Sequence, residues 1–593
     1  MNLNSQLQNL IVLAMKELFN AQVNIKDLIL SETKKEFEGD VTITVFSLTK
    51  LSKKTPEETG HELGEWLVKN SDTLIIKFNV IKGFLNLVIA DNFWIDSLIS
   101  VKHSTFHTSP STIMVEYSSP NTNKPLHLGH IRNNLLGHSI CEILKANGNK
   151  VIKVNLVNDR GVHICKSMLA WKLYGNGETP ESTAMKGDKF VGKYYVLFDT
   201  HLKAQIAKLL SEGTTEEDAE KNAPLMKEVH EMLRKWEAGD AETIELWKMM
   251  NGWVYTGFET TYKNLGITFD KIYYESQTYL LGKKIVEEGL QSKAFVREKD
   301  NSVWVDLTDV GLERKVLQRS DGTSLYMTQD IGTAQLRFDE FHPDSLIYIV
   351  GNEQDYHFKV LKATVKKLGR PWADNIFHLS YGMVDLPSGK MKSREGTVVD
   401  ADDLLEEMRS EAETRTRELG KTDGMSEEHA ELLYRILGSG ALKYFILKVD
   451  PKKRMLFNPS ESIDFNGNTG PFIQYTFARI SSLLRKGIEA GFSLSTEIPL
   501  AITELHTKEK ELLKLIYRFP TAIEEAAKGL SPALIATYVY ELSKGFNSFY
   551  QEIPILKENN KKLISFRLQV CKRTSEIIKE SMFLLGIDVP ERM

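Results

Sequence analysis

Ile113-Met-Val-Glu-Tyr-Ser-Ser-Pro-Asn-Thr-Asn-Lys-Pro-Leu-His-Leu-Gly-His130 runs from an apolar pentapeptide, through a stretch of turn formers, into a helical pattern. Ile113 to Tyr117 reads as a buried strand and Ser118 to Lys124 as a loop. Gly129 to Ala146 reads as a helix, with Asn147-Gly-Asn149 as its stop signal. Lys150 to Asn158 is strand-like again. Strand, helix and strand in this order form a βαβ unit, which implies parallel strands and a right-handed crossover. In open parallel sheets ligands bind beyond the carboxyl ends of the strands, and a helix N-terminus there favours phosphate. Pro125-Leu-His-Leu-Gly-His-Ile131 stands at such a place. His127 and His130, three residues apart, can face the same side of the first turn. Gly129 between them lets a nucleotide approach the backbone closely. A surface pair or a two-histidine metal site are the alternatives, and the second lacks neighbouring carboxylate or cysteine ligands.

Beyond this unit, residues 165 to about 320 are polar, helical and irregular, and read as an insertion. Strand-to-helix transitions resume at Ser324 to Thr328 and Ser345 to Val350. A last strand, Ile376 to Val384, leads into Gly389-Lys-Met-Lys-Ser-Arg-Glu-Gly396, a glycine-bounded basic loop suited to close over a triphosphate. It is no P-loop, because the spacing is wrong and Met391 stands where a magnesium-binding hydroxyl is needed. After Asp400 the pattern is helical to Met593, as in Ala533 to Phe549. Residues 1–109 read as a small α+β unit, with an amphipathic start (Leu3, Leu7, Leu10, Leu13) and strands at Val41–Val45 and Lys82–Ile89.

A chain of 593 residues is too long for one core. With 42% apolar and 26% charged residues it is neither a disordered nor a membrane chain. The longest early apolar run, Leu10 to Met15, is too short to span a bilayer, so no signal peptide or anchor is expected. Cys141, Cys165 and Cys571 lie far apart, which speaks against disulfides and a cysteine zinc site and for a reducing cytoplasm. The net charge of −5 hides an asymmetry: residues 431–593 hold 23 Lys/Arg against 18 Asp/Glu, and the rest 52 against 62. A basic C-terminal part suits a polyanion, because local fields rather than totals attract phosphate; ordinary solvated helix faces would give the same counts.

His127-Leu-Gly-His130 followed by Lys390-Met-Lys-Ser-Arg394 resembles the paired signatures of class I aminoacyl-tRNA synthetases. Within that class, Val115 to His130, Tyr326-Met-Thr-Gln-Asp-Ile-Gly332 and Gly351-Asn-Glu-Gln-Asp-Tyr-His357 resemble the arginyl-tRNA synthetase family. The resemblance implies an α/β multidomain fold with a Rossmann-like parallel-sheet catalytic domain at 110–400, carrying the helical insertion. It adds a small N-terminal α+β domain at 1–109 that contacts tRNA, a helical connector at 401–465, and an all-α anticodon-binding bundle at 466–593. ATP with Mg2+, L-arginine and tRNA-Arg are the implied ligands, with no protein metal site, no DNA, no membrane and a monomeric cytoplasmic enzyme. Glu116, Tyr326 and Asp330 are implied to hold the guanidinium, a planar fork best met by carboxylates and a phenol oxygen; an N-cap is the alternative for Asp330. Asn121 and Gln354 are implied to orient the α-amino and carboxylate groups. His127, Gly129, His130, Gly382, Met383, Val384 and Lys390 are implied to meet ATP, and His357 either approaches the nucleotide or packs. Tyr444, Phe472, Tyr475 and Phe477 are candidates for stacking on anticodon bases or for core packing. The second signature departs from its usual Lys-Met-Ser-Lys-Ser: Ser393 occupies the second lysine position. Lys392, one position early, or Lys124, before the first signature, would then supply that charge, and Lys124 is the stronger candidate.

Overall fold

A computed structural model describes residues 3–100, 110–323, 325–385, 399–494, 502 and 504–593. The chain forms two compact units: residues 1–102 with 486–518 and 544–574, and residues 103–485 with 519–543 and 575–593. Among the described residues no helix is long and apolar enough to cross a membrane. All three cysteines are free and buried.

In the first unit, β1 (Leu30–Glu32), β2 (Val41–Thr44), β3 (Ile75–Ile81) and β4 (Phe84–Ile89) form an antiparallel sheet in the order β1-β2-β4-β3. Two helices belong with it, α1 (Leu3–Phe19) and α2 (Pro56–Asn70). Helix α1 buries Leu3, Leu7, Ile11, Ala14 and Met15, whereas Leu13 is exposed. The leucine series ending at Leu13 drifts off the buried face, and a 3.6-residue turn returns Ile11, Ala14 and Met15 to it. Strand β3 was not expected, since its outer residues alternate weakly.

Asp40 is buried beside β4, where its carboxylate accepts the Ile89 N–H (2.6 Å). It pairs with Lys510 (3.3 Å) and Lys514 of the helix Thr507–Tyr517, and Lys510 also reaches Asp91 (3.1 Å). One buried carboxylate is thus shared by two ammonium groups drawn from a distant part of the chain, and Asp91 completes the charge balance.

The second unit is built in chain order on β5 (Thr112–Glu116), α3 (Leu128–Ala146), β6 (Lys150–Val157), a run of helices including α4 (Gly187–Ser211), and β7 (Lys271–Tyr274). Next come the short α5 (Glu275–Thr278), the antiparallel strands β8 (Val296–Arg297), β9 (Val303–Val305) and β10 (Lys315–Gln318), and α6 (Tyr326–Phe341). Then follow β11 (Ser345–Gly351), α7 (Asp355–Lys367) and β12 (Ile376–Tyr381). The main sheet is wholly parallel, in the order β12-β11-β5-β6-β7. Its central strands are near-continuous apolar runs, as a sheet covered on both faces requires. Strand β7 lies within the stretch read as an insertion, yet it is the edge strand of this sheet. Its four residues carry too little periodicity to stand out between long helices. From β5 the chain builds outward through β6 and β7, then returns to add β11 and β12 on the other side. The reversal leaves a crevice at the carboxyl ends of β5 and β11.

The strand expected to reach Val384 stops at Tyr381. Val384–Asp385 is a separate β13, paired in parallel with β14 (Met455–Leu456). The Gly382 N–H donates to Pro451 O (2.9 Å), and a Cβ on Gly382 would lie 2.5 Å from the Lys453 carbonyl carbon. The crossing of residues 451–454 draws the chain off the sheet there.

Replacing Asp40 by Ala takes the partner carboxylate from Lys514 and one of the two carboxylates from Lys510, and should destabilise the first unit by about 3 kcal/mol. Calorimetric melting would measure it, and a melting temperature equal to the parent's would remove Asp40 from this role.

Candidate active site

The first four N–H groups of an α-helix lack helical partners, and at α3 two imidazoles serve them. His127 is the N-cap in extended backbone, and its Nδ1 accepts the Gly129 N–H (3.1 Å). His130 Nδ1 accepts the His127 N–H (3.2 Å), so the pair forms a reciprocal box. The ring centroids lie 4.0 Å apart. A lone pair committed at each Nδ1 leaves the ring proton on Nε2. Burial, with Lys124 adding to it, pulls His127 down to about 3. His130 is also held well below the usual histidine range, by burial, then His127, then Lys124. Both rings are therefore neutral at pH 7, each with an Nε2–H donor beside the helix N-terminus. A Cβ on Gly129 would meet only the His127 ring, at 3.0–3.1 Å.

The chain re-enters beside this turn. The Leu128 N–H donates to Val399 O (3.2 Å) and the Ala401 N–H to Leu126 O (2.9 Å), a backbone ladder of two rungs. Lys189 of α4 fixes the same place through Asp400 (3.4 Å) and Asp403 (2.6 Å). A cavity of about 220 Å³ opens between them, lined among others by Lys124, His127, Lys189, Tyr195 and Asp400.

Between β5 and α3 the loop turns sharply. Ser118 and Ser119 have φ of 79° and 45°, a left-handed conformation costly for residues with a side chain. Two buried asparagines hold it: Asn133 Oδ1 accepts the Ser118 N–H (2.5 Å) and Asn155 Oδ1 the Ser119 N–H (2.9 Å). Asn121 lies in a parallel bridge with Asn158, at the carboxyl ends of β5 and β6.

Four carboxylates come together at these strand ends. Glu116 ends β5, is buried, and pairs with the fully buried Arg337 of α6. Arg337 stacks on Tyr273 (4.9 Å) and Tyr348 (5.6 Å). Glu116, expected to face the guanidinium of a substrate, thus already holds one from its own chain. Asp159, after β6, accepts the Ser276 N–H (2.8 Å), Ser276 Oγ (2.6 Å) and Tyr255 OH (3.0 Å). Asp330, in the second turn of α6, meets His357 Nε2 at 2.6 Å. The N-cap position of α6 is Leu325, so Asp330 is no cap. The fourth is Glu275, first residue of α5. Among the described residues its carboxylate has no hydrogen bond and no ion pair. Burial first, then Asp330 and Asp159, against Arg160, push it up to about 7. Glu275, Asp159 and Arg337 were not singled out from the sequence. Glu275 follows the strand-like Ile272-Tyr-Tyr274, and a carboxylate straight after such a run was the available signal; Arg337 lies mid-helix and offered none.

Tyr326 opens α6 and is 72% exposed, while Gln354 is exposed in a 3₁₀ turn just before α7. Gly382 and Met383 link β12 to β13, and Val384 is buried in β13. Lys390 and Lys392 lie outside the described residues. Tyr444 and Phe477 are buried, with the Tyr444 OH donating to Ala536 O (2.9 Å), so both serve the core. Tyr475 is half-exposed, with Lys421 Nζ 3.4 Å and the Arg479 guanidinium 4.9 Å from its ring centre; Phe472 is also half-exposed.

Residues 95–458 match the family model described as "tRNA synthetases class I (R), catalytic domain", and residues 473–593 match "DALR anticodon binding domain". The arginine–tRNA ligases of Bacteroides thetaiotaomicron and Flavobacterium psychrophilum are 55% and 54% identical to the chain, each aligned over all of both proteins. The Thermus thermophilus arginyl-tRNA synthetase structure superposes over all of both chains with a TM-score of 0.81 at 25% identity. The neutral donors at a helix N-terminus, the acidic strand ends and these likenesses agree: the chain belongs to the arginyl-tRNA synthetase family, class I enzymes that use ATP to activate L-arginine as arginyl-adenylate and transfer it to the terminal adenosine of tRNA-Arg.

Proposed function

We propose that the arginine guanidinium lies between Asp330 and Glu275, with Tyr326 at its edge. The observation that carries this reading is negative charge left without a counter-ion. Glu116 is neutralised by Arg337 and Asp159 is saturated with donors, whereas Glu275 has no hydrogen bond or ion pair among the described residues and the partly exposed Asp330 meets only His357, which leaves these two to face a cation. Asn121 and Gln354, at neighbouring strand ends, orient the α-amino and carboxylate groups. The α-phosphorus of ATP then sits where the arginine carboxylate attacks in line, and pyrophosphate leaves. The triphosphate lies at the start of α3, with the Nε2–H donors of His127 and His130, Lys124, Lys390, Lys392 and a Mg2+ ion carried by ATP spreading the developing charge. The adenine end lies along Gly382, Met383 and Val384. Residues 1–109, the connector 401–465 and the bundle 466–593 contact tRNA, with Tyr475, Lys421 and Arg479 as one stacking and charged patch. The enzyme works as a monomer in the cytoplasm, where three buried free thiols are at home.

Asp330→Asn removes a charged acceptor for the guanidinium. It should lower kcat/KM for arginine by roughly 1.5–3 kcal/mol, about 10- to 100-fold, and leave the KM for ATP unchanged. An arginine KM within about twofold of the parent's would contradict the assignment.

Glu275 gives a pH signature. In the free enzyme its carboxyl titrates near 7, raised by burial and neighbouring acids, so it is protonated below and charged above that pH. A cation binds the charged form better. The arginine KM should therefore fall as pH rises through about 7 and level off above it, and Glu275→Gln should flatten the profile. A parental slope retained in the variant would assign the titration to another group.

Lys124→Ala should raise the barrier of adenylate formation by about 2–4 kcal/mol, the range for losing one preorganised charge partner. Lys392→Ala should cost much less. Steady-state kinetics on the two variants decide between them, and a larger loss at Lys392 gives the role to the loop.

A further inference from the structure

Five residues beyond His127, the same helix carries a buried cation with no part in the reaction described above. Arg132 is fully buried, and its guanidinium donates from Nη2 to Lys453 O (2.7 Å) and Pro451 O (3.1 Å) and from Nη1 to Met383 O (3.4 Å). No carboxylate pairs with it among the described residues. Burial draws it down to about 10, so it stays charged at pH 7. A buried charge met only by carbonyls is a costly way to fill space, and only a planar fork reaches acceptors on two chain segments at once.

The acceptors show what the fork holds. Pro451 O also accepts the Gly382 N–H (2.9 Å), and Met383 O also accepts the Met455 N–H (3.1 Å). Val384 and Asp385 then pair in parallel with Met455 and Leu456. The guanidinium therefore sits in the corner where residues 382–385 cross residues 451–456. Its other end is the helix whose first turn is built by His127 and His130. We infer that Arg132 is a positioning residue for ATP, locking the Gly382–Val384 backbone to the histidine-bearing helix so that the two ends of one nucleotide meet a fixed spacing. This rests on the proposed nucleotide contact of Gly382–Val384.

Two variants separate the inference from that reading. Arg132→Lys keeps the charge and loses the fork; Gly382→Ala places a methyl against the Lys453 backbone. Both should raise the KM for ATP about tenfold or more, with the arginine KM and the tRNA dissociation constant within about twofold of the parent. If Gly382→Ala raises the ATP KM and Arg132→Lys does not, Arg132 is no positioning residue. If neither raises it, the nucleotide reading of 382–384 fails and the inference falls with it. An equal rise in both substrate KM values, or insolubility of Arg132→Lys and Arg132→Gln alike, assigns Arg132 to general folding and overturns the inference.

Discussion

The start of the helix Leu128–Ala146 has N–H groups that need acceptors and a dipole that favours negative charge. Serine or aspartate is the common solution for the first need. An aspartate there would also answer the second, leaving nothing for a phosphate to neutralise. Here the acceptors are neutral imidazole nitrogens, so the cap is satisfied while the positive end of the helix stays uncompensated. The same arrangement fixes the tautomer: because each Nδ1 is occupied by a backbone donor, each Nε2 must carry the proton. A burial that keeps both rings neutral is consistent with this, since a protonated ring would lose its cap acceptor. Capping, tautomer and anion affinity are thus one interaction.

The loop before the helix shows how the scaffold serves this turn. Ser118 and Ser119 are held left-handed by side chains from α3 and β6, the two elements the loop must bring together. The strained turn is therefore over-determined from both sides. It sets Asn121 against Asn158 and ends the loop at Lys124, beside the histidines. Strain of this kind persists only where surrounding structure fixes it, and here that structure is the βαβ unit itself.

The βαβ unit, the helix and its stop signal were legible because they repeat a pattern over many residues. Elements of two to four residues, such as β7 and β13, carry no usable period and depend on partners far along the chain. For the same reason the break at Gly382 was invisible: its cause is the backbone of residues 451–454. The histidines were legible as a local motif. The pairing of Glu116 with Arg337 was not, because 221 positions separate them and a mid-helix arginine carries no local sign of burial. For Tyr444 and Phe477 the sequence left stacking on bases and core packing both open, and they are core, a distinction that aromatic identity alone does not make.

That pairing separates two uses of charge in one crevice. A carboxylate closed by an internal guanidinium, as Glu116 is, has its field cancelled at short range and serves to fix β5 against α6. Asp159, with three donors from Tyr255 and Ser276, is a hub for the segment that follows β7. Glu275 differs from both in having no hydrogen bond and no ion pair among the described residues, with Arg160 as the neighbouring positive charge. In an isolated protein such a group relieves itself by binding a proton, which is the meaning of its raised pKa. A ligand cation offers the alternative relief, and the two compete for the same carboxylate. In the proposed placement of the guanidinium, the selectivity this gives is asymmetric. A neutral side chain of similar shape leaves Glu275 to its proton and gains little, whereas a guanidinium displaces the proton and gains a charge-assisted pair. In the proposed placement, discrimination for arginine rests on the charge that Glu275 and Asp330 present to the ligand rather than on the number of acids in the crevice.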